Sequence, residues 1–83
     1  MSDEAGTDSE PLLLDLGGLR CPLPALKTRK ALSRMPAGAR LQVRCTDPLS
    51  VIDIPHLVAT TGDVLEGQSR DDGVYVFSVR RSG

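Results

Sequence analysis

The spacing of hydrophobic residues along the first half of the chain predicts a strand, a helix and a second strand. Leucines dominate segment 12–16, which predicts a strand that ends at the following glycine pair. Segment 22–35 has apolar residues three and four positions apart, which is typical of an amphipathic helix. Segment 41–45 alternates apolar and polar residues, as a half-buried strand does. The predicted core face of the helix comprises Ala25, Thr28, Ala31, Leu32 and Met35.

The second half of the chain predicts another helix and then a hairpin. Asp53 is a favourable N-cap, Pro55 suits the first turn, and Gly62 ends the helix. Segments 64–69 and 74–81 predict two strands joined by an Asp-Asp-Gly turn. The order β-α-β-α-β-β predicts an α+β fold, a two-layer α/β sandwich whose four-stranded mixed sheet carries both helices on one face. The last strand is predicted to place three side chains on one face: Tyr75, Phe77 and Val79.

Length and composition indicate one small domain in a reducing compartment. The 83 residues can bury one modest core, which we place in residues 11–83. The acidic segment 1–10 is predicted to be a disordered tail. No secretory signal or membrane-spanning run is visible, and two cysteines do not make a disulfide framework. We therefore expect a cytoplasmic monomer with no membrane partner.

Charge is distributed unevenly along the chain. The formal net charge is −1, yet segment 1–10 carries −4, which leaves +3 for the remaining residues. No acidic residue lies between Leu16 and Thr46. This block can be a solvated helix face, or it can favour a thiolate and attract acidic proteins or RNA. Its basic residues are Arg20, Lys27, Arg29, Lys30, Arg34, Arg40 and Arg44.

The segment from Arg20 to Pro24 carries the most informative chemistry. Pro22 disfavours the helical conformation at Cys21 and is itself favoured at the first helical position. Cys21 is therefore predicted to be the N-cap, with Pro24 in the same first turn. The helix dipole, the N–H of Leu23 and the charges of Arg20 and Lys27 are expected to lower the pKa of Cys21 below its usual value. The alternative is that Cys21 is a small buried hydrophobe.

The helix face opposite the core is predicted to be a docking surface for a partner protein. Two leucines beside the candidate thiol are expected to be exposed there and ringed by positive charge. The alternative is a set of ordinary, scattered surface residues. The predicted docking residues are Leu23, Leu26, Lys27, Lys30 and Arg34.

Other candidate residues have simpler interpretations. Cys45 is predicted to be a core residue, Asp47 a turn residue and Asp53 a helix cap. The lone His56 and the two cysteines lack the spacing of a zinc site, so we expect no metal ion and no cofactor. One Tyr, one Phe and no Trp leave little aromatic surface for stacking single-stranded bases.

These residues resemble the motifs of the TusA/SirA family of sulfur-carrier proteins over nearly the whole chain after the acidic segment. The resemblance implies the sandwich predicted above, a persulfide on Cys21, a cysteine desulfurase or other sulfur donor, and an acceptor relay protein. It implies a role in tRNA thiolation, sulfur oxidation or molybdenum-cofactor maturation. The residue between the two prolines is acidic in the tRNA-thiolating branch and is Leu23 here. The matching motifs are Leu14-Asp15, Gly18-Leu19-Arg20-Cys21-Pro22-Leu23-Pro24, Arg29-Lys30, Asp47-Pro48 and Asp53-Ile54-Pro55.

The sequence leaves three functions open. The first is a sulfurtransferase that relays sulfur held on Cys21. The second is a non-catalytic module whose basic first helix binds an acidic protein or RNA, with direct RNA contact the less favoured. The third is a redox-regulated adaptor in which Cys21 only senses oxidation. A carrier needs Cys21 exposed and nucleophilic, whereas an RNA-binding module would keep binding after Cys21→Ala.

Overall fold

The computed structural model describes residues 11–82, and in that range the chain forms four strands and two helices. The predicted tail over residues 1–10 lies outside the described residues. In chain order the elements are β1 (Leu12–Leu16), α1 (Leu23–Ser33), β2 (Arg40–Cys45), α2 (Ser50–Thr61), β3 (Val64–Asp71) and β4 (Val74–Arg80). The predicted order is confirmed. Within residues 11–82, neither helix has the length and hydropathy needed to cross a bilayer.

The strands form one mixed sheet in the order β1-β2-β4-β3. β1 runs parallel to β2, with Leu16 opposite Cys45, because α1 carries the chain back to the starting end of the sheet. β4 is antiparallel to both of its neighbours, β2 and β3. The β3–β4 hairpin turns at Asp72 and Gly73, whose φ values of 52° and 80° suit a tight two-residue turn.

The core lies between the helices and one face of the sheet. Leu32 of α1 is buried there together with Ile54 and Val58 of α2. Fully burying one such side chain stabilises the fold by roughly 1.5–3 kcal/mol, so this cluster holds both helices on the same side of the sheet. The sheet contributes alternate residues of its two central strands, as the pattern predicts: Leu41, Val43, Cys45, Phe77 and Val79.

The face that α1 turns toward the core agrees with its predicted phase. Thr28 is fully buried like Leu32, and Ala25, Ala31 and Met35 are half-buried. The Thr28 hydroxyl donates to the carbonyl of Pro24 at 2.8 Å, which satisfies this buried polar group. Burial of Pro24 itself was not predicted.

The second helix begins one turn earlier than predicted. α2 starts at Ser50 instead of Asp53. The carbonyl of Asp47 accepts hydrogen bonds from the Ser50 N–H at 3.0 Å and the Ser50 hydroxyl at 2.7 Å, which organises this earlier start. Pro55 therefore lies inside the helix, where its missing N–H leaves the carbonyl of Val51 without the usual helical donor.

A buried carboxylate fastens the end of β4 to the start of β3. Asp63 accepts hydrogen bonds from the Thr61 hydroxyl at 2.7 Å, the Arg81 guanidinium at 3.0 Å and the Ser82 N–H at 2.9 Å. Burial alone would raise the pKa of Asp63, but these donors hold it below its usual value. The carboxylate is thus held in its charged form in a site that would otherwise oppose the charge.

Candidate functional site

The parallel pairing of β1 and β2 brings the loops that follow them to one edge of the sheet. Because Leu16 lies opposite Cys45, both loops leave the sheet side by side. The N–H of Gly18 in the first loop donates to the hydroxyl of Thr46 in the second at 2.9 Å. The first loop carries Cys21, which is exposed to solvent. The candidate thiol therefore lies where the two loops meet.

A carboxylate from the second loop holds the backbone of Cys21. The Cys21 N–H donates to Oδ2 of Asp47 at 2.6 Å, and the Leu49 N–H donates to Oδ1 at 3.1 Å. These two donors, aided by the charge of Arg20, hold the pKa of Asp47 below its usual range. The predicted turn role of Asp47 is confirmed. Its bond to Cys21, which joins the cysteine loop to the start of α2, was not predicted.

The thiol of Cys21 is directed at a second carboxylate, that of Asp53 on α2. Sγ donates to Oδ2 of Asp53 across 2.8 Å. This hydrogen bond, together with partial desolvation and the negative charges of Asp53 and Asp47, raises the pKa of Cys21 above its usual value. The predicted fall in the pKa is therefore wrong. The prediction that Asp53 caps the helix is also wrong, because α2 has already begun at Ser50.

The stabilisation of a thiolate by the helix start, expected from the sequence, is also missing at Cys21, because α1 begins two residues after the cysteine. Leu23 is the first helical residue, and Pro22 instead of Cys21 occupies the N-cap position. The Leu23 N–H donates to the carbonyl of Arg20 at 2.8 Å, so this donor is not available to a thiolate. Pro24 is buried in the first turn, which fixes the start of α1 against the core. The two prolines thus place the cysteine just outside the helix.

An open depression of about 620 Å³ lies beside the thiol. Its volume falls within the usual range of binding clefts, so it can receive a side chain of a partner next to Cys21. The depression is lined by the two loops that meet at this edge: Gly18, Leu19, Arg20 and Cys21 from the first, and Thr46, Asp47, Pro48 and Leu49 from the second.

Exposed apolar side chains on both sides of this edge form what we call the apolar rim, namely Leu23, Leu26, Leu49 and Ile52. Leu23 and Leu26 of α1 are 44% and 54% exposed, which confirms their predicted exposure. Leu49 borders the depression and is 52% exposed, and Ile52, one helical turn further along the chain, is 67% exposed. The cations predicted beside the leucines are exposed as well: Lys27 and Lys30 on α1, and Arg34 directly after it. Their role in docking stays a prediction.

The second cysteine and the histidine occupy different environments. Cys45 is fully buried in the core, as predicted, and its burial raises the pKa of its thiol. His56 is exposed on α2, where its backbone carbonyl accepts a hydrogen bond from the Thr60 hydroxyl. In the described part of the chain, no three side chains of His, Cys, Asp or Glu are grouped to share a metal ion.

Sequence reasoning missed four contributions to this edge, namely the contacts of Asp47 and Asp53 with Cys21 and the exposed side chains of Leu49 and Ile52. A usable signal was present in the predicted topology. Two parallel strands joined by a helix leave their carboxyl ends at the same edge, so the residues that follow β1 and β2 must meet. The carboxylates that follow β2 could therefore have been assigned to the surroundings of Cys21.

Known proteins similar to this chain match it along most of its length. The family model described as Sulfurtransferase TusA matches residues 13–81. The sulfur carrier protein TusA of Allochromatium vinosum is 39% identical over 69 residues, which cover 83% of this chain and 91% of that protein. A putative sulfur carrier protein of Neisseria meningitidis is 42% identical over 67 residues, 81% of this chain and 90% of that one. The solved structure of a SirA-like protein from Desulfitobacterium hafniense, 23% identical, has a TM-score of 0.76 and covers 87% of this chain and 99% of its own, which supports the fold.

Proposed function

Because this chain belongs to the TusA family of sulfur carrier proteins, we propose that Cys21 is the residue on which it carries sulfur, as a persulfide. The observation that carries this proposal is the exposure of Cys21 beside the open depression, whereas Cys45 is fully buried. A sulfur that passes between proteins must be reached by the thiols of both partners, and a fully buried thiol is inert to them.

The transfer balances without an oxidant or a reductant. The Cys21 sulfur, as a thiolate, attacks the outer sulfur of a donor persulfide R–S–SH. The S–S bond of the donor breaks as a new S–S bond forms on Cys21, and the donor leaves as a thiolate that takes up the proton Cys21 has lost. Attack by an acceptor thiolate on the outer sulfur then repeats the exchange and returns Cys21 to a thiol.

The residues around Cys21 contribute to this exchange by holding the sulfur in place and by binding the partner protein. Asp47 fixes the backbone of Cys21 through the 2.6 Å hydrogen bond, so the sulfur keeps one place relative to a docked partner. The apolar rim and the cations of α1 form the docking surface for a sulfur donor, such as a cysteine desulfurase, and for an acceptor relay protein. The proposed function is thus that of a cytoplasmic sulfurtransferase. It needs no cofactor of its own, because the exchange uses only thiols and a persulfide.

Sulfur loading followed by mass spectrometry tests the assignment. The wild-type protein, incubated with a cysteine desulfurase and cysteine, should gain about 32 Da, and a reductant should remove the gain. Cys21→Ser should show no gain, whereas the matched variant Cys45→Ala should load as the wild type does. A gain that persists in Cys21→Ser, or one that disappears in a folded Cys45→Ala, would overturn the assignment.

A binding function for α1 is the second candidate, and the exposed cations of that helix favour it. Lys27, Arg29 and Lys30 on α1 are exposed, as is Arg34 directly after it, and such a group attracts polyanions. If RNA binding were the main function, Cys21→Ala would bind RNA as the wild type does, with an affinity that falls steeply with salt. Undetectable RNA binding by the wild-type protein at low salt would remove this candidate.

A further inference from the structure

Two carboxylates contact Cys21, and each accepts a hydrogen bond from a different atom of it. Both oxygens of Asp47 accept backbone N–H groups, one of them from Cys21 itself. Oδ2 of Asp53 instead accepts the thiol hydrogen across 2.8 Å. Asp53 approaches from α2, where the next residue, Ile54, is fully buried in the core and fixes the helix in place. Asp53 is therefore the carboxylate held against the reacting sulfur.

We propose that Asp53 is a specificity-determining residue of the sulfur site: its carboxylate holds the unloaded sulfur of Cys21 as a thiol and favours partners that bring a positively charged group against it. This inference rests on the proposed function and assigns a role in it to a residue that the sequence predicts to be a helix cap.

The first part of the inference follows from electrostatics at the sulfur. A carboxylate that accepts the thiol hydrogen stabilises the neutral form and opposes a second negative charge beside it. Since only the thiolate attacks, the unloaded protein reacts slowly with small oxidants and alkylating reagents near neutral pH. A thiolate that does form beside Asp53 is more basic, and a more basic thiolate is the stronger nucleophile.

The second part follows from the charges that face the thiol. These are Asp53 from α2 and Asp47 from the loop after β2, while Arg20 lines the same depression and acts on Asp47. A Lys or Arg of a partner, placed against Asp53, would pair with the carboxylate and take over its hydrogen bond from the thiol. The surface thus fits a protein with a basic group at its centre and apolar groups that meet the apolar rim.

The pH dependence of alkylation by iodoacetamide, read at Cys21 by peptide mass spectrometry, tests the first part. Asp53→Asn keeps the size of the side chain and removes its charge. We expect this variant to react about threefold faster near neutral pH and about threefold slower on the alkaline plateau, because its thiolate is more abundant and less nucleophilic. The two profiles should therefore cross. Superimposed profiles, or a variant that is faster throughout, would refute the role of Asp53.

Two further variants separate charge from structure. Asp53→Glu retains the carboxylate and should keep a profile close to that of the wild type. Asp72→Asn removes an equivalent charge from the β3–β4 turn, where asparagine tolerates the positive φ, and should also behave as the wild type does. If the alkylation profile of Asp72→Asn crosses that of the wild type, net charge alone is responsible and the inference is overturned.

Thiol–disulfide exchange with charged probes tests partner selection. The Cys21 thiolate attacks one sulfur of the probe, the S–S bond breaks, and the released half leaves as a thiolate that is protonated by solvent. The ratio of the rate with cystamine, which carries amines, to the rate with dithiodipropionate, which carries carboxylates, should fall about threefold in Asp53→Asn at low salt. An unchanged ratio would contradict selection by charge. Failure of wild-type Cys21 to gain sulfur would refute the proposed function instead. The alkylation and disulfide-exchange measurements do not involve sulfur loading, so the two failures can be told apart.

Discussion

Leu26 of the apolar rim gives a quantitative test of docking, because about half of its side chain is left for a partner to cover. It is 54% exposed. Fully burying a leucine side chain stabilises by roughly 1.5–3 kcal/mol, so covering the exposed half contributes about 1 kcal/mol to a complex. Leu26→Ala should therefore weaken the complex with a sulfur donor about fivefold. The free energy of unfolding should fall by about 1 kcal/mol or less.

The assay is the rate of sulfur loading by a cysteine desulfurase at increasing concentrations of the carrier. Leu26→Ala should raise KM about fivefold and leave kcat unchanged, because the lost contact binds the carrier and does not touch the reacting sulfur. Leu13→Ala is the matched control, since Leu13 is 70% exposed on β1, on the sheet face away from the helices. A wild-type KM for Leu26→Ala, or an equal rise for Leu13→Ala, would refute docking at the rim.

Three other substitutions test the charge, the core and the buried carboxylate. Lys30→Glu should slow sulfur loading more at low salt than at high salt, and an effect independent of salt would exclude steering by charge. Leu32→Ala should lower the free energy of unfolding in urea by about 2–5 kcal/mol, since Leu32 is fully buried, and a loss below about 1 kcal/mol would contradict its core position. Asp63→Asn should lower the free energy of unfolding by about 1–3 kcal/mol at neutral pH, because three donors surround the carboxylate. Because the folded-state pKa of Asp63 is depressed, its contribution is present above the unfolded pKa of about 3.9 and is lost as the pH falls through the folded value. The difference between the wild type and Asp63→Asn should therefore shrink in acid, and a constant difference would contradict this linkage.

The fold was predictable because its determinants are local and repeated. The alternation around Val43 and Phe77 places both side chains on the buried face, where the two residues are paired across β2 and β4. The positive φ values at Asp72 and Gly73 explain why an Asp-Gly pair marks the hairpin turn. Neither feature depends on knowing which strands are neighbours, so periodicity and turn chemistry were sufficient.

The chemistry of the site was only partly predictable because it depends on contacts between distant residues. The exposure of the two leucines of α1 follows from the phase of one helix, and the place of Cys21 just before that helix follows from the two prolines. The protonation of Cys21 depends instead on Asp53, 32 residues further along the chain. Asp53 faces the sulfur because α2 begins at Ser50. The sequence predicts that the helix begins at Asp53, and that prediction makes the carboxylate a helix cap. A one-turn error at a helix start thus reversed the sign of the expected pKa shift.

The central place of β4 in the sheet ties the formation of the sulfur site to a late step of synthesis. β4 lies between β2 and β3, and its Phe77 and Val79 complete the core beneath the helices. During synthesis, residues 11–73 emerge from the ribosome before segment 74–80. Until that segment has emerged, the apolar faces of the earlier helices and strands lack the strand that covers them. The pairing of β2 with β4 then joins residues far apart in sequence, and such contacts form slowly. The edge of the sheet that carries Cys21 is therefore complete only once β4 has taken its place between β2 and β3.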